Sequence, residues 1–190
     1  MPYYSEDELQ HLGFASVGSN VLVSKLASIY GHARIHLGCN IRIDDFCVLS
    51  AGDGGIWLGN YIHIAVHCSL IGGGRITLRD FCNLSSRVAI YSSSDDYSGN
   101  SMTNPMVGAP YTDVTHAPVI LNKHVIVGCG SVVLPGVTLG EGVALGALSL
   151  ANRSLQSWGV YAGQPARYLK PRSQRLLEQE RCFLSSGKPC

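Results

Sequence analysis

The sequence predicts an all-β fold: a left-handed parallel β-helix of hexapeptide repeats with an extruded loop and a C-terminal α-helix. Three observations predict it: an aliphatic residue recurs every sixth position, glycine accounts for 22 of 190 residues, and only 14% of residues are charged. Few charges and many glycines are typical of stacked short strands and tight turns rather than of long solvated helices. The net charge of +1 indicates neither nucleic-acid binding nor a membrane-surface role.

The repeat is clearest in the last third of the chain. Aliphatic residues occupy every sixth position there, at Leu121, Val127, Val133, Leu139 and Leu145. A helix of period 3.6 cannot hold a strict six-residue spacing, and a plain strand needs no such period. One unit is therefore a short strand and a turn. Three units close a triangular coil of about 18 residues, and coils must stack to bury a core.

The same spacing continues upstream in shorter runs. These are Val17, Val23, Ile29, Ile35 and Ile41, then Leu58, Ile64 and Leu70, then Leu78, Leu84 and Ile90. The register slips at Ile43 and near two glycine clusters, 52–55 and 72–74, which we interpret as irregular corners. We expect small buried side chains four residues after an aliphatic position, where four cysteines fall: Cys39, Cys47, Cys68 and Cys82.

Residues 91–118 interrupt the repeat and are rich in Ser, Asp, Asn, Gly and Pro. Loops of this length are uncommon in compact domains unless they are functional. We therefore predict one repeat domain, residues 1–170, that carries this segment as an extruded loop.

Both termini show helix signals. Residues 171–190 are the predicted C-terminal helix and tail. Within them, residues 171–186 predict a capping helix with Pro171 in its first turn. Residues 5–12 predict a short helix with Ser5 before three acidic residues. The acidic N-terminus lacks the pattern of a signal peptide and no stretch is apolar enough for membrane insertion, so we expect a cytoplasmic protein.

Two blocks resemble a known family. Residues 127–150, followed by the AGQPAR block within 160–170, resemble the hexapeptide-repeat acyltransferases. The loop motifs SDDYSG (94–99) and TNP (103–105) are similar to the branch that acetylates aminodideoxy sugars on a nucleotide carrier, of the dTDP-4-amino-4,6-dideoxyglucose type.

This resemblance implies an acetyl-CoA-dependent acetyltransferase for the amino group of a nucleotide-linked amino sugar, serving surface polysaccharide or O-antigen synthesis. It also implies a homotrimer with acetyl-CoA between neighbouring β-helices. No resident metal is expected.

The late coils are the predicted cofactor site. Small residues there would let the pantetheine arm approach the backbone: Gly128, Cys129, Ser131, Gly146 and Ala147. Four basic residues near the AGQPAR block would bind the CoA phosphates: Arg153, Arg167, Lys170 and Arg172. The alternatives are that the small residues only form turns and that the basic residues only form a solvated face.

Acyl transfer needs a general base that takes the proton from the attacking amine or hydroxyl of the substrate. Many O-acetyltransferases that this chain resembles have a histidine at the start of the loop, where this chain has Asp95 and Asp96. Either an aspartate serves, or a coil histidine reaches the site across a subunit interface, His63 first and His124 second. The alternative for the aspartates is an Asx turn, and for the histidines a surface position.

Three further residues of the loop are candidates for substrate contact: Tyr97, Asn104 and Tyr111. A neutral amine is already a competent nucleophile, so the missing loop histidine favours an amine acceptor over a hydroxyl. Three other functions stay open. They are O-acetyl transfer to a sugar hydroxyl, a non-catalytic scaffold, and a metal lyase in which His63 and His67 would join a third histidine from a neighbouring subunit.

Overall fold

Short strands alternate with tight corners along the repeat region, and parallel pairing stacks them into three faces. The structure is a computed structural model in which residues 2–186 are described. Through residue 151, apart from the hairpin of the extruded loop, successive strands fall on faces 1, 2 and 3 in turn, so each of these coils crosses all three faces before the next begins. This arrangement confirms the predicted parallel β-helix.

The three faces contain nearly all of the strands. Face 1 consists of β1 (Ser16–Val17), β4 (Ile35–Leu37), β7 (Ile56–Leu58), β10 (Ile76–Leu78), β15 (Val119–Leu121) and β18 (Thr138–Leu139). Face 2 consists of β2 (Val21–Val23), β5 (Ile41–Ile43), β8 (Ile62–Ile64), β11 (Asn83–Leu84), β16 (Ile126–Val127), β19 (Ala144–Leu145), β21 (Gly159–Ala162) and the antiparallel β22 (Arg167–Pro171). Face 3 consists of β3 (Ser28–Tyr30), β6 (Val48–Ala51), β9 (Ser69–Gly72), β12 (Ala89–Tyr91), β17 (Val132–Val133) and β20 (Leu150–Ala151).

The remaining elements lie outside the coils. The loop after β12 begins and ends with an antiparallel hairpin, β13 (Ser93–Ser94) and β14 (Thr115–His116). Two helices, α1 (Glu6–His11) and α2 (Leu176–Ser185), flank the repeat region, and short 3-10 turns occupy His32–Arg34 and Ala109–Tyr111. No helix among residues 2–186 is long and apolar enough to cross a membrane.

The core is a set of aliphatic columns that run along the stack. In face 1, Leu37, Leu58, Leu78 and Leu121 pair in register and are buried. Two inward positions per strand are filled, because Ile35 and Leu37 both point to the core while His36 points out. Each coil covers the apolar side of the next, so burial of this surface stabilises the stack rather than any single coil.

Because two positions of each strand point inward, the six-residue frame predicted from the sequence is wrong at one of the four cysteines. Cys47, Cys68 and Cys82 are buried as predicted, but Cys39 is half-buried. Ile35 and Leu37 are both aliphatic. The frame predicted from the sequence counts the six-residue unit from Ile35, whereas in the structure the unit is counted from Leu37. Cys39 consequently falls on the corner instead of on a strand.

The irregular segments share one edge of the molecule, the corner between faces 3 and 1. The 3-10 turn at His32–Arg34, the glycine clusters at 52–55 and 72–74, and the extruded loop all connect a face 3 strand to a face 1 strand. The predicted slip at Ile43 is wrong, since Ile43 pairs in register with Val23 and Ile64. The extra residues lie at 31–34 instead, and the extruded loop is the longest of four insertions at one corner.

The helices differ in how well they were predicted. Ser5 forms a capping box with Glu8, in which each residue's side chain bonds the other's backbone N–H, as expected for α1. The C-terminal helix begins at Leu176 and not near Pro171, because β22 pairs with β21 through Pro171 and keeps the chain extended. Helix α2 packs on the corner between faces 1 and 2, against Tyr61 and Phe81, and does not cap the end of the stack.

Candidate functional site

The extruded loop forms a cavity of about 520 Å³ against the outward side of face 3. The hairpin pairs Ser93 with His116 and Ser94 with Thr115, and so directs the loop away from the corner. The lining combines polar residues of the loop base, Ser93, Ser94 and Asp95, with apolar residues. The apolar residues are Val114, Val132, Leu134 and Pro135, with Tyr91 and Tyr97 also lining the cavity.

The two candidate aspartates have different environments. Asp95 is exposed and lines the cavity. Asp96 accepts backbone hydrogen bonds from Ser98 at 2.7 Å and Ser101 at 2.8 Å. Hydrogen bonds from Ser98, and then from Ser101, lower the pKa of Asp96. Asp96 therefore has the Asx-turn role that the sequence left open, while Asp95 faces the space where a ligand would bind.

The three loop residues expected to contact the substrate are not gathered together. Tyr97 lines the cavity and is 93% exposed. Asn104 accepts a hydrogen bond from the backbone N–H of Met106 at 3.0 Å, so its side chain shapes the loop. Tyr111 lies in the 3-10 turn and is not among the residues that line the cavity.

His63 belongs to a charged network on face 2. Its Nε2 lies 2.9 Å from the Asp44 carboxylate and its Nδ1 lies 3.2 Å from the Asn83 amide oxygen. Arg42 donates to the other Asp44 oxygen at 2.7 Å. Burial raises the pKa of Asp44, but the hydrogen bonds from His63 and Arg42 outweigh it, and the pKa lies below its ordinary value. His63 and Asp95 are on different faces, with the core between them.

His124 is a contact of α2. Its ring stacks on Phe81 and its Nε2 lies 2.8 Å from Glu180 on that helix. Lys123 forms an ion pair with the same carboxylate. His124 is buried at the corner between faces 1 and 2, away from the extruded loop, so this geometry does not favour the catalytic role predicted from the sequence.

The predicted pantetheine residues lie at the corner between faces 2 and 3. Cys129 and Ala147 are exposed in adjacent coils, joined by a hydrogen bond from Leu148 N–H to the Cys129 carbonyl. Gly128 is required by stacking, because a Cβ there would lie 2.7 Å from the carbonyl carbon of Gly146. The Ser131 hydroxyl is buried, where it donates to the Gly146 carbonyl and accepts from Ser149 N–H. Ser131 thus stabilises the stack and is not directed toward a ligand.

The four basic residues do not form one cluster. Arg167 and Lys170 are exposed on β22, and Arg153 lines a separate cavity of about 580 Å³ with Trp158 and Tyr168. Arg172 is turned inward and donates to the carbonyls of His124 and Gly142, and burial lowers its pKa. Arg172 closes a corner of the fold, while the other three are free to meet a ligand.

Sequence reasoning missed several residues beside the cavity. Val132 and Leu134 alternate with the buried Val133, so two apolar residues at outward positions were the available signal. Nothing in the sequence links His116 to Asp95, because the two residues lie at opposite ends of the loop and only the hairpin brings His116 back to Ser93. Among residues 2–186, no three side chains of His, Cys, Asp or Glu meet in a group that could hold a metal ion.

No protein-family model matches the chain. Its sequence is 52% identical over 187 residues to the dTDP-4-amino-4,6-dideoxy-D-glucose acyltransferase of Escherichia coli, which covers 98% of this chain and 97% of that protein. The fold and this identity show that the chain belongs to the hexapeptide-repeat β-helix acyltransferases. The family resemblance noted from the repeat and the AGQPAR block is therefore confirmed.

Solved structures agree with this similarity. The N-acyltransferase AntD from Bacillus cereus, in complex with dTDP and 3-hydroxybutyryl-CoA, is 46% identical, with a TM-score of 0.94 and full coverage of both chains. Variants of AntD altered at one serine bind dTDP-4-amino-4,6-dideoxyglucose with coenzyme A, and others are altered at one aspartate. A galactoside acetyltransferase bound to coenzyme A is 18% identical, covers 90% of this chain with a TM-score of 0.62, and shares the fold.

Proposed function

We propose that this protein transfers an acyl group from an acyl-CoA to the amino group of dTDP-4-amino-4,6-dideoxyglucose. The observation that carries this proposal is that Asp95 lines a cavity together with the apolar side chains of Val132 and Leu134. A carboxylate suits an amine, and an apolar lining suits the methyl group of a 6-deoxy sugar. The full-length similarity to an acyltransferase for this sugar supports the same substrate.

The chemistry requires little from the protein beyond orientation. The neutral amine attacks the thioester carbonyl, a C–N bond forms, the C–S bond breaks, and the amine proton and the thiolate leave as CoA thiol. Asp95 would accept a hydrogen bond from the amine, which orients its lone pair toward the carbonyl. Asp96, through its two backbone hydrogen bonds, holds the turn that carries Asp95.

The acyl-CoA would lie along the corner between faces 2 and 3, where Cys129 and Ala147 are exposed. Arg153, Arg167 and Lys170 remain the candidates for its phosphates. Acetyl-CoA is the donor that the sequence resemblance implies, and 3-hydroxybutyryl-CoA is the donor bound in the B. cereus relative. Both belong in the test, because a cavity of about 520 Å³ has space for either acyl group.

A homotrimer is part of the proposal. The outward side of face 3 carries half-buried apolar side chains, among them Val48, Ile71 and Val132. In the strand register Ser69 and Ala89 separate Val48 from Val132, and these outward apolar side chains are the surface that we propose a second copy covers. A second copy at this face would complete the cavity and bring face 2 residues such as His63 toward Asp95.

The test is a thiol-release assay with acetyl-CoA and with 3-hydroxybutyryl-CoA. The acceptors are dTDP-4-amino-4,6-dideoxyglucose and its 4-hydroxy analogue, with UDP- and GDP-linked amino sugars alongside. We expect turnover with the dTDP amino sugar and none with the hydroxy analogue. Turnover of the hydroxy analogue alone would replace N-transfer with O-transfer. The absence of acyl-CoA binding would refute the transferase function.

A further inference from the structure

A serine and a histidine form a bonded pair at the base of the extruded loop. The Ser93 hydroxyl lies 2.7 Å from His116 Nδ1 and accepts a hydrogen bond from the backbone N–H of Gly73 at 2.6 Å. These residues connect the two strands of the hairpin to the glycine cluster of the coil before it. Ser93 also lines the cavity, two residues before Asp95.

The hydrogen-bonding groups account for the orientation of this pair. The Ser93 oxygen accepts from Gly73 N–H and the hydroxyl keeps its own proton to donate, for which His116 Nδ1 is the acceptor within reach when the ring proton is on Nε2. Among residues 2–186, the His116 Nε2 has no hydrogen-bond partner. The ring therefore contacts the loop base through one nitrogen.

The backbone beside the ring is shaped to admit it. A Cβ on Gly73 would lie 2.7 Å from both Cε1 and Nδ1 of His116, so the ring rests directly on the glycine backbone. Gly74 is equally confined, since a Cβ there would lie 2.6 Å from the Ala117 carbonyl. Only glycine at 73 lets the histidine reach Ser93.

We propose that His116, acting through Ser93, positions Asp95 for the acceptor amine. His116 does not line the cavity and is a positioning residue, not a catalytic one. The hairpin fixes Ser93 relative to the coil, and the next two residues lead directly to the carboxylate. This role rests on the proposed acyl transfer, because it has a purpose only if Asp95 meets the acceptor.

The variants of His116 test whether the contact made by Nδ1 alone is what matters. His116→Asn keeps an amide near the position of Nδ1, whereas His116→Gln moves it to the position of the unpartnered Nε2. We expect His116→Ala and His116→Gln to lower kcat about ten- to a hundredfold, with the KM for acyl-CoA unchanged, and His116→Asn to recover most of the loss. His11→Ala, on the exposed α1, is the matched control.

A double variant separates positioning from simple loss of structure. In an Asp95→Asn background, His116→Ala should cause no further loss of kcat, because its effect passes through Asp95. Additive losses, or full kcat in His116→Ala, would overturn the positioning role while leaving the acyl transfer of the unaltered protein intact. If the unaltered protein itself transfers no acyl group to any amino sugar, the proposed function fails and the role of His116 fails with it.

Discussion

At the scale of single residues, Asp95 and Asp96 show how position decides the role of identical side chains. Both oxygens of Asp96 accept backbone hydrogen bonds inside the loop, whereas Asp95 faces the cavity. A carboxylate already engaged by two N–H groups is a poor partner for a substrate amine. The loop therefore has one aspartate for structure and one for the acceptor.

We expect Asp95→Asn to lower kcat by about a hundredfold or more, because the amide is a far weaker proton acceptor than the carboxylate. Asp96→Asn should cost much less, since the amide oxygen still accepts one of the two loop hydrogen bonds. Steady-state kinetics with both substrates varied is the measurement, and Asp113→Asn, an exposed carboxylate of the same loop, is the control. Equal losses at 95 and 96 would contradict the division of roles.

The sequence could predict that these aspartates matter, but not which of them. Adjacent residues in a loop have no periodicity to distinguish them, and only the backbone turn at Ser98 and Ser101 does so. Arg172 shows the same limit. Its partners are carbonyls at His124 and Gly142, which the fold alone brings together. A basic residue near a phosphate-binding block therefore has a structural role that composition does not reveal.

At the scale of elements, α2 is attached to the β-helix by one carboxylate and an aromatic contact. Glu180 pairs with Lys123 and His124, while Phe183 packs edge-on to Tyr61 and Phe81. Burial raises the pKa of Glu180, but its bonds to Lys123 and His124 outweigh it, and the pKa lies below its ordinary value. The ionised carboxylate therefore stabilises the docked helix.

We expect Glu180→Gln to weaken the docking of α2 by about 1–2 kcal/mol at neutral pH, because hydrogen bonds to a charged group are lost. Since the pKa of Glu180 is lowered in the folded state, the stabilisation is complete above the ordinary value of 4.5 and is lost as pH falls through the lowered pKa. Protection factors of the α2 amides in hydrogen exchange measure it. The control is Glu178→Gln, an exposed position of the same helix. If the α2 protection factors of the unaltered protein and of Glu180→Gln still differ below the lowered pKa of Glu180, this assignment is contradicted.

The repeat could be predicted from the sequence for a physical reason, and the errors in that prediction have physical reasons too. A six-residue unit has two inward positions, and wherever both are aliphatic, as at Ile35 and Leu37, the period alone fits two phases. Cys47 is placed correctly because the frame there began at Ile43, and Cys39 is misplaced because its frame began at Ile35. The start of α2 was missed because the pairing of β22 with β21 is a tertiary contact.

At the scale of the whole molecule, the candidate site is divided between faces. His63 lies outward on face 2, Asp95 lies beside face 3, and the aliphatic core separates the two. Within one chain these side chains cannot meet the same substrate atom. If both serve one reaction, the site must form between copies, with the loop of one protomer against face 2 of its partner.

This division predicts complementation between inactive variants. His63→Ala and Asp95→Asn, each of which we expect to have little activity alone, should regain activity when co-expressed, because a mixed trimer contains interfaces where an intact His63 meets an intact Asp95. Random assembly of equal amounts restores about a quarter of the sites in a closed ring. Thiol release by the purified mixture measures it, with each variant co-expressed with itself as the control. Two variants altered in the same residue should never complement. If the mixture of different variants stays inactive as well, His63 and Asp95 do not form one site between copies.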